Sequence, residues 1–241
     1  MKRKNLKDFF WPSYVDVMTN LFAITLVLFV VSFFLFKKRT DELNASQKEY
    51  MRIQEMNEAI KQLDNNSFFK YNEEFKKHIL TLTFEYKIDQ FAIPEGLTNP
   101  DIEVISDIRN VGKSIIQTIK DINEEYIVAD NSREAIDVKF LVVIEGQASI
   151  DAKSKEEYND ILSYRRALHL KRFWLDSSND VRVDGVSFNT PELKCELIVS
   201  GSGFSGSPRE DNYIFVKGVK KINTANQRFL VHIVPVIDWS K

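Results

Sequence analysis

Hydrophobic residues fall along this chain in two contrasting patterns. From Val17 to Phe36 they form a block without Asp, Glu, Lys or Arg, and beyond Thr40 they recur at the spacings of amphipathic helices and strands. A hydrocarbon core of about 30 Å takes roughly 20 residues of helix, so the block predicts one transmembrane helix over residues 12–36. Lys37, Lys38 and Arg39 follow Phe36 directly, where a cleaved leader would carry small residues, and the expectation is an uncleaved signal-anchor. Lys2, Arg3, Lys4 and Lys7 outnumber the basic residues behind the block, which puts residues 1–11 in the cytoplasm and the bulk of the chain outside, with Trp11 and Tyr14 at the interface.

The second pattern begins with a polar stretch, Thr40 to Asn65, rich in Glu, Lys, Gln and Asn and free of Gly and Pro. It predicts a helix within a linker of residues 37–75. Leu43, Tyr50, Ile53 and Ile60 stand near heptad spacing, but Ser46 and Asn57 fill the other seam sites, so a solvated linker and a dimerising stalk both fit. A domain of residues 76–241 follows. Leu80, Leu82 and Phe84 alternate within a predicted strand, Ile79 to Ile88. Ile108, Val111, Ile115, Ile119 and Ile122 recur at helical steps, and Ile136 to Ile144 reads as a strongly apolar strand. Glu156 to Trp174 predicts a second helix, with Ile161, Tyr164 and Leu168 on its apolar face and Arg165, Arg166 and Arg172 elsewhere; Leu193–Ser200 and Phe229–Val236 complete the strands. This order predicts an α/β fold, an α+β two-layer sandwich with helices on one face.

Composition removes several classes of function. With 33 basic against 35 acidic residues, the chain lacks the charge excess of an electrostatic nucleic-acid binder. The single cysteine, Cys195, reads as a buried strand residue, and His78, His169 and His232 are too scattered for a metal site. Gly201-Ser-Gly203-Phe-Ser-Gly206 spells a dinucleotide fingerprint, yet Pro208 and the polar run to Asn212 open no helix behind it, so a glycine-rich turn is expected. Nucleophile elbow, Walker sequence and paired zinc ligands are all missing from the sequence. The expectation is a non-enzyme with no metal and no cofactor.

One ionisable side chain, Asp16, stands inside the predicted span. A charge in hydrocarbon costs several kcal/mol, so an intramembrane acid is read as an ion or proton carrier or as the partner of a buried group, and interfacial placement, about 6 Å of helix from Pro12, is the other reading of Asp16. Tyr14, Thr19 and Asn20 are candidates for the ion path, and plain interhelical hydrogen bonding is their other reading.

Phe10-Trp11-x-Ser13-Tyr14-x-Asp16-x-Met18-Thr19 resembles the membrane-entry motif of the MotB family, the inner subunit of ion-driven rotary motors, and especially its relatives in Zorya anti-phage systems, the ZorB proteins. Ile144-Glu145-Gly146, then Tyr158-Asn159-x-x-Leu162-Ser163-x-Arg165-Arg166-Ala167, the Gly201-x-Gly203 loop with Pro208, and Asn226-Gln227-Arg228 resemble the OmpA-like peptidoglycan-binding domain. The resemblance implies a homodimer within a ring of a polytopic MotA/ZorA-like partner, with Asp16 taking up and releasing H+ or Na+. It implies a bacterial inner-membrane location with the C-terminal domain periplasmic and bound to peptidoglycan. An Asp and an Arg of OmpA-like domains hold the diamino acid of the peptide stem. Arg166 matches the Arg, and Asn159 and Leu162 match their positions. The usual Gly-His-Thr-Asp is here Gly146-Gln147-Ala148-Ser149, and the loop to Asn159 is two residues longer, so Asp151 is expected in the acid's place. The implied function is the B-subunit of an ion-driven motor serving anti-phage defence. A flagellar stator is the alternative within that class, and an inner-membrane tether to the cell wall is the alternative outside it.

Overall fold

The computed structural model describes residues 7–82, 84–125, 138–150 and 156–237. The chain is a mixed α/β protein that divides into two compact units, residues 1–53 and 54–241. One helix, α1 (Lys7–Lys61), runs through the first unit into the second.

In the first unit every described side chain from Tyr14 to Arg39 is exposed, with Phe22, Phe29 and Phe36 among the most open. An apolar surface that continues all the way round has no core-facing stripe and no solvated one. Among the described residues this is the one helix long and apolar enough to cross a membrane. The hydroxyls inside it return to its own backbone: Thr19 Oγ1 donates to Val15 O at 2.8 Å and Thr25 Oγ1 to Leu21 O at 3.0 Å. Such bonds spare a lipid-exposed helix an unpaired hydroxyl.

The second unit starts earlier than residue 76, where the sequence pattern puts the domain boundary. Met56, Ile60 and Leu63 are buried in it, while Leu43 and Tyr50 stay exposed. The apolar spacing read as a weak dimer seam is, at its C-terminal end, the stripe by which α1 joins the core of this unit. Strand β1 (Phe69–Asn72), also unforeseen, pairs antiparallel with β2 (Lys77–Leu80). Asn66 Nδ2 donates to Ser114 Oγ at 2.7 Å and so ties the turn before β1 to α2 (Ile102–Asn123).

The elements that follow are β3 (Val138–Gly146), α3 (Glu156–Leu175), β4 (Cys195–Gly201), the hairpin β5 (Tyr213–Val216) and β6 (Val219–Ile222), and β7 (Phe229–Ile237). The main sheet has the order β1-β2-β7-β3-β4, antiparallel throughout except for β3 beside β4, which α3 connects. Val138, Phe140, Val142 and Ile144 are buried on alternate positions of β3, and the residues between them are more open. That alternation marks a sheet covered on one face, as a two-layer sandwich requires. Beneath it α2 buries Ile108, Val111, Ile115, Ile116, Ile119 and Ile122, and Trp174 Nε1 of α3 donates to Ile108 O at 2.9 Å. On the more open face Lys77 and Glu145 form an ion pair at 2.6 Å. Cys195 is only half-buried, and burial pushes its thiol up to about 12.

The first predicted strand is shorter than its pattern. After Leu80 the chain leaves the ladder, yet Phe84 remains buried edge-on against Phe229 at 4.7 Å and Tyr86 makes one isolated bridge to Leu97. The hairpin turns on Lys217 and Gly218, both at positive φ, the geometry that matches the twist of a two-residue connection.

His78 lies beneath this sheet, 1% exposed, with its ring 4.8 Å from that of Tyr71. Burial lowers its imidazole to about 4, partly opposed by the Asp64 carboxylate. The folded state therefore holds the neutral ring while the unfolded chain takes up a proton from about pH 6.5 downward. The stabilisation from His78 is complete above that pH and is lost as pH falls toward 4, by about 3 kcal/mol. Chemical denaturation of the detergent-solubilised chain should show this loss between pH 7 and 4, and His78→Leu should flatten it.

Candidate binding cleft and the acid of the apolar helix

Helix α3 does not sit on the sheet by its most apolar face. Ile161 is 46% exposed and Tyr164 43%, whereas Asn159, Leu162, Ser163, Arg166, Ala167 and Leu170 are buried. The face predicted from Ile161, Tyr164 and Leu168 is thus corrected. Its replacement is chosen by closeness of approach, because small residues let the helix backbone come down onto the strands. A Cβ on Gly146 would collide with Ser163 O, one on Gly201 with Tyr164 N, and one on Gly203 with the Asp160 carboxylate. Gly203 N donates to Ser163 Oγ at 2.9 Å, and Gly203 O accepts from Ala148 N at 2.7 Å. The glycine-rich segment is therefore a packing turn against α3. Its amides at 203 and 206 are occupied within the protein, which leaves no phosphate cradle there.

This seating builds a cleft of about 250 Å³ from four separate stretches of chain. Tyr86, Ile88 and Asp89 come from the segment after β2, Ser149 and Ile150 from the segment after β3, Tyr158, Asn159, Leu162 and Arg166 from α3, and Ile222, Thr224 and Gln227 from the last residue of β6 and the segment behind it. Three residues expected to act together, Asn159, Leu162 and Arg166, line one wall. Asp151 lies outside the described residues. Ser149, at the position of the expected family acid, accepts from Gln227 Nε2 at 2.9 Å. Asn226 and Arg228 are scaffold: Asn226 Oδ1 accepts from Glu210 N at 3.0 Å, and Arg228 donates to Gln147 Oε1 and to Pro208 O.

Arg166 is 4% exposed. Its guanidinium lies 4.2 Å from the centre of the Tyr86 ring, and Nε donates to Gln90 O at 3.1 Å. Among the described residues it has no ion pair. A buried guanidinium normally has a carboxylate partner, and an aromatic face with one carbonyl neutralises it only in part. Burial accordingly pulls the group below its ordinary value, with Asp89 among the groups acting in the other direction. Two further polar atoms of the cleft residues are buried without a hydrogen-bond partner among the described residues, Asn159 Nδ2 and the Tyr86 hydroxyl. Desolvation raises the Tyr86 phenol strongly, so it is a donor at every physiological pH. Three donors thus meet at one cleft with bonding capacity to spare, an arrangement suited to an anionic, oxygen-rich group.

Asp89 and Tyr86 were not singled out from the sequence. The turn joins Arg166 only through the fold, Gln90 being 76 residues away from it, and the local pattern around Ile88 carries no sign of that contact. Asp89 has φ of 59° and lines the cleft with Tyr158, whose phenol is raised by desolvation first and by the Asp89 carboxylate second.

In the first unit, helical geometry puts Asp16, Thr19 and Asn20 on one stripe, at relative positions i, i+3 and i+4. Tyr14 stands two residues from Asp16, about 200° round the helix, so it does not share that stripe.

No family model and no curated protein matches this chain. Among solved structures it is similar to the OmpA-like domain of FopA1 from Francisella tularensis subsp. tularensis SCHU S4, at 17% identity over 70% of this chain and 80% of that one, TM-score 0.32. It is also similar to the periplasmic domain of Helicobacter pylori MotB, at 10% identity over 71% and 89%, TM-score 0.32. Likeness at this level assigns no role to any residue, and what the cleft does rests on its own groups.

The glycine contact yields a direct check. Gly201→Ala drives a methyl into the backbone of α3, and overpacking of this kind costs about 1–3 kcal/mol. Thermal unfolding should fall accordingly, whereas Gly185→Ala, whose cost comes from its φ of 82° and not from a clash, should leave α3 in place.

Proposed function

We propose that the chain is the B-subunit of an ion-driven rotary motor of the bacterial inner membrane, with its C-terminal domain bound to peptidoglycan through the cleft at Arg166. The observation that carries the wall-binding half is the under-neutralised Arg166 guanidinium beside two unpartnered buried donors. A stem-peptide carboxylate supplies what these groups lack, in the bidentate geometry a guanidinium favours. That Asn159, Leu162 and Arg166, named from a sequence resemblance to OmpA-like domains, line the same cleft supports the same ligand.

The motor half rests on Asp16. The N-terminus is cytoplasmic in this reading, α1 crosses the bilayer once, and two copies stand inside a ring of a polytopic partner. Asp16 alternately binds and releases H+ or Na+, and the change in its charge moves the ring. The stripe shared with Thr19 and Asn20 is the side on which an ion would approach, and Tyr14 belongs to another side of the helix. The Phe10-Trp11 resemblance favours an anti-phage role over a flagellar one. A plain tether has no use for an acid within the apolar helix, since the charge costs several kcal/mol and returns nothing.

Two outcomes are expected. Full-length protein should co-sediment with purified sacculi, and Arg166→Ala should weaken that binding about tenfold or more, the worth of a charge-assisted pair; equal binding by the variant would remove the cleft from the reading. Asp16→Asn in the native operon should keep assembly with the ring partner while abolishing phage resistance or motility. Retained output would reduce the chain to a tether.

A further inference from the structure

The hairpin forms a sheet of its own, and its two strands differ as edges. All residues of Tyr213–Val216 and Val219–Ile222 are exposed, Phe215 at 74%. A ribbon of two strands is marginal in water by itself, so an apolar one gains from a further strand. Strand β6 is guarded against such an addition, because Lys220 and Lys221 stand at its centre and lysine blunts an open edge. Strand β5 reads Tyr-Ile-Phe-Val, strand formers throughout, with neither charge nor proline to guard it. The ladder pairs Val216 with Val219 beside the turn and Ile214 with Lys221, and Asn223 N donates to Asn212 O at its base. By the antiparallel alternation, the N–H and C=O of Tyr213 and Phe215 point away from β6, along the open edge.

We infer that β5 is the docking edge for a second copy of this chain, the two β5 strands pairing antiparallel about a two-fold axis at Ile214 into one four-stranded sheet. The inference rests on the motor reading for the presence of two copies in one assembly, where tethering raises the effective concentration of one hairpin for the other. The alternation admits only registers that set outward-pointing residues against one another. With Ile214 opposite itself, Tyr213 of each copy faces Phe215 of the other, and each such pair exchanges both backbone hydrogen bonds and brings two rings together. A register centred on Phe215 sets Tyr213 against Lys217, and one centred on Tyr213 sets Phe215 against Asp211. The Ile214 register also keeps the charges apart. Lys220 and Lys221 remain on the outer strands, Lys220 Nζ 3.9 Å from the centre of its own Tyr213 ring, whereas pairing through β6 would bring like charges face to face. Strand β5 thus supplies its own complement, which favours a second copy over a foreign strand.

The two-fold axis makes the Ile214 positions a non-hydrogen-bonded pair with Cα atoms about 4.5 Å apart, within reach of a disulfide. The Lys221 positions lie three strand spacings apart, about 14 Å, beyond that reach. In full-length Cys195→Ser protein in membranes, mild oxidation should link Ile214→Cys into a covalent dimer and leave Lys221→Cys unlinked. Phe215→Pro removes an outward N–H and spares the β5–β6 ladder, so it should abolish the Ile214→Cys link while co-sedimentation with sacculi persists. The mass of the unlinked complex in detergent separates the two readings. A complex of two chains in which Ile214→Cys fails to link, or links no better than Lys221→Cys, overturns the β5 pairing and leaves the two-copy part of the motor reading standing. A single-chain mass overturns both. A mixed disulfide between Ile214→Cys and another polypeptide, in place of the dimer, overturns the second copy as the occupant.

Discussion

The close approach of α3 to β3 and β4 is the constraint on which the second unit depends. Helix and strand backbones meet at Gly146 and Gly201 with no room for a Cβ, and Ser163 and Ala167 are the small residues that answer them from the helix. Packing of this kind gains less from apolar area than a Leu-to-Leu contact does. It gains geometry instead, because a helix seated low carries the buried Leu162 and Arg166 down to the level of the strand ends. A Cβ at either glycine would lift the helix and with it one wall of the cleft. The Gly203–Ser163 hydrogen bond holds the neighbouring turn to the same standard. Site and scaffold are therefore one packing problem.

The same constraint explains what could be read from the sequence. The face of α2 was legible because Ile108, Val111, Ile115, Ile119 and Ile122 are all buried, as helical spacing of apolar residues demands. That of α3 was not. Its inward residues include Asn159, Ser163 and Arg166, and its exposed ones include Tyr158, Ile161 and Tyr164, so a hydrophobicity pattern selects the wrong side. Strand β3 was legible for its length and Val-Ile content, whereas β1, Phe-Lys-Tyr-Asn, is a short half-buried strand with only Phe69 fully enclosed. The resemblance placed Asn159, Leu162 and Arg166 in one cleft without any pattern in the chain itself. Asp89 escaped both routes, since neither periodicity nor motif reports which distant turn will face a helix.

Stability alone does not account for Arg166. Removing a guanidinium from water costs several kcal/mol, and a domain of this size is stable by only about 5–15 kcal/mol. The Tyr86 face and the Gln90 carbonyl return part of that cost, and Asp89 acts from a distance. Tyr86 stacks against Phe84, which in turn packs on Phe229 of the central β7, so the ring beneath the guanidinium is anchored in the core. The charge is thus held stiffly in a place where the fold gains little from it. That imbalance is the ground on which Arg166 is proposed as a ligand-binding residue.

Asp16 poses the same question in a different solvent. Arg166 finds an aromatic ring and a carbonyl within its own chain, but the helix around Asp16 has little to offer a carboxylate. Its interior N–H groups are engaged along the helix, and the nearest hydroxyl on the same stripe, Thr19, donates to Val15 O. In a bilayer an uncompensated acid must be neutralised by a proton, by a cation, or by donors from a second chain. Each of these comes from outside the polypeptide. Within a bilayer the first unit thus leaves its acid to be answered from outside the chain, while the second unit carries the framework of its own cleft. An anchoring helix needs only apolar length, which Val17 to Phe36 already provides, so the acid at its start adds a cost that anchoring does not explain, and the proposed motor reading rests on that cost.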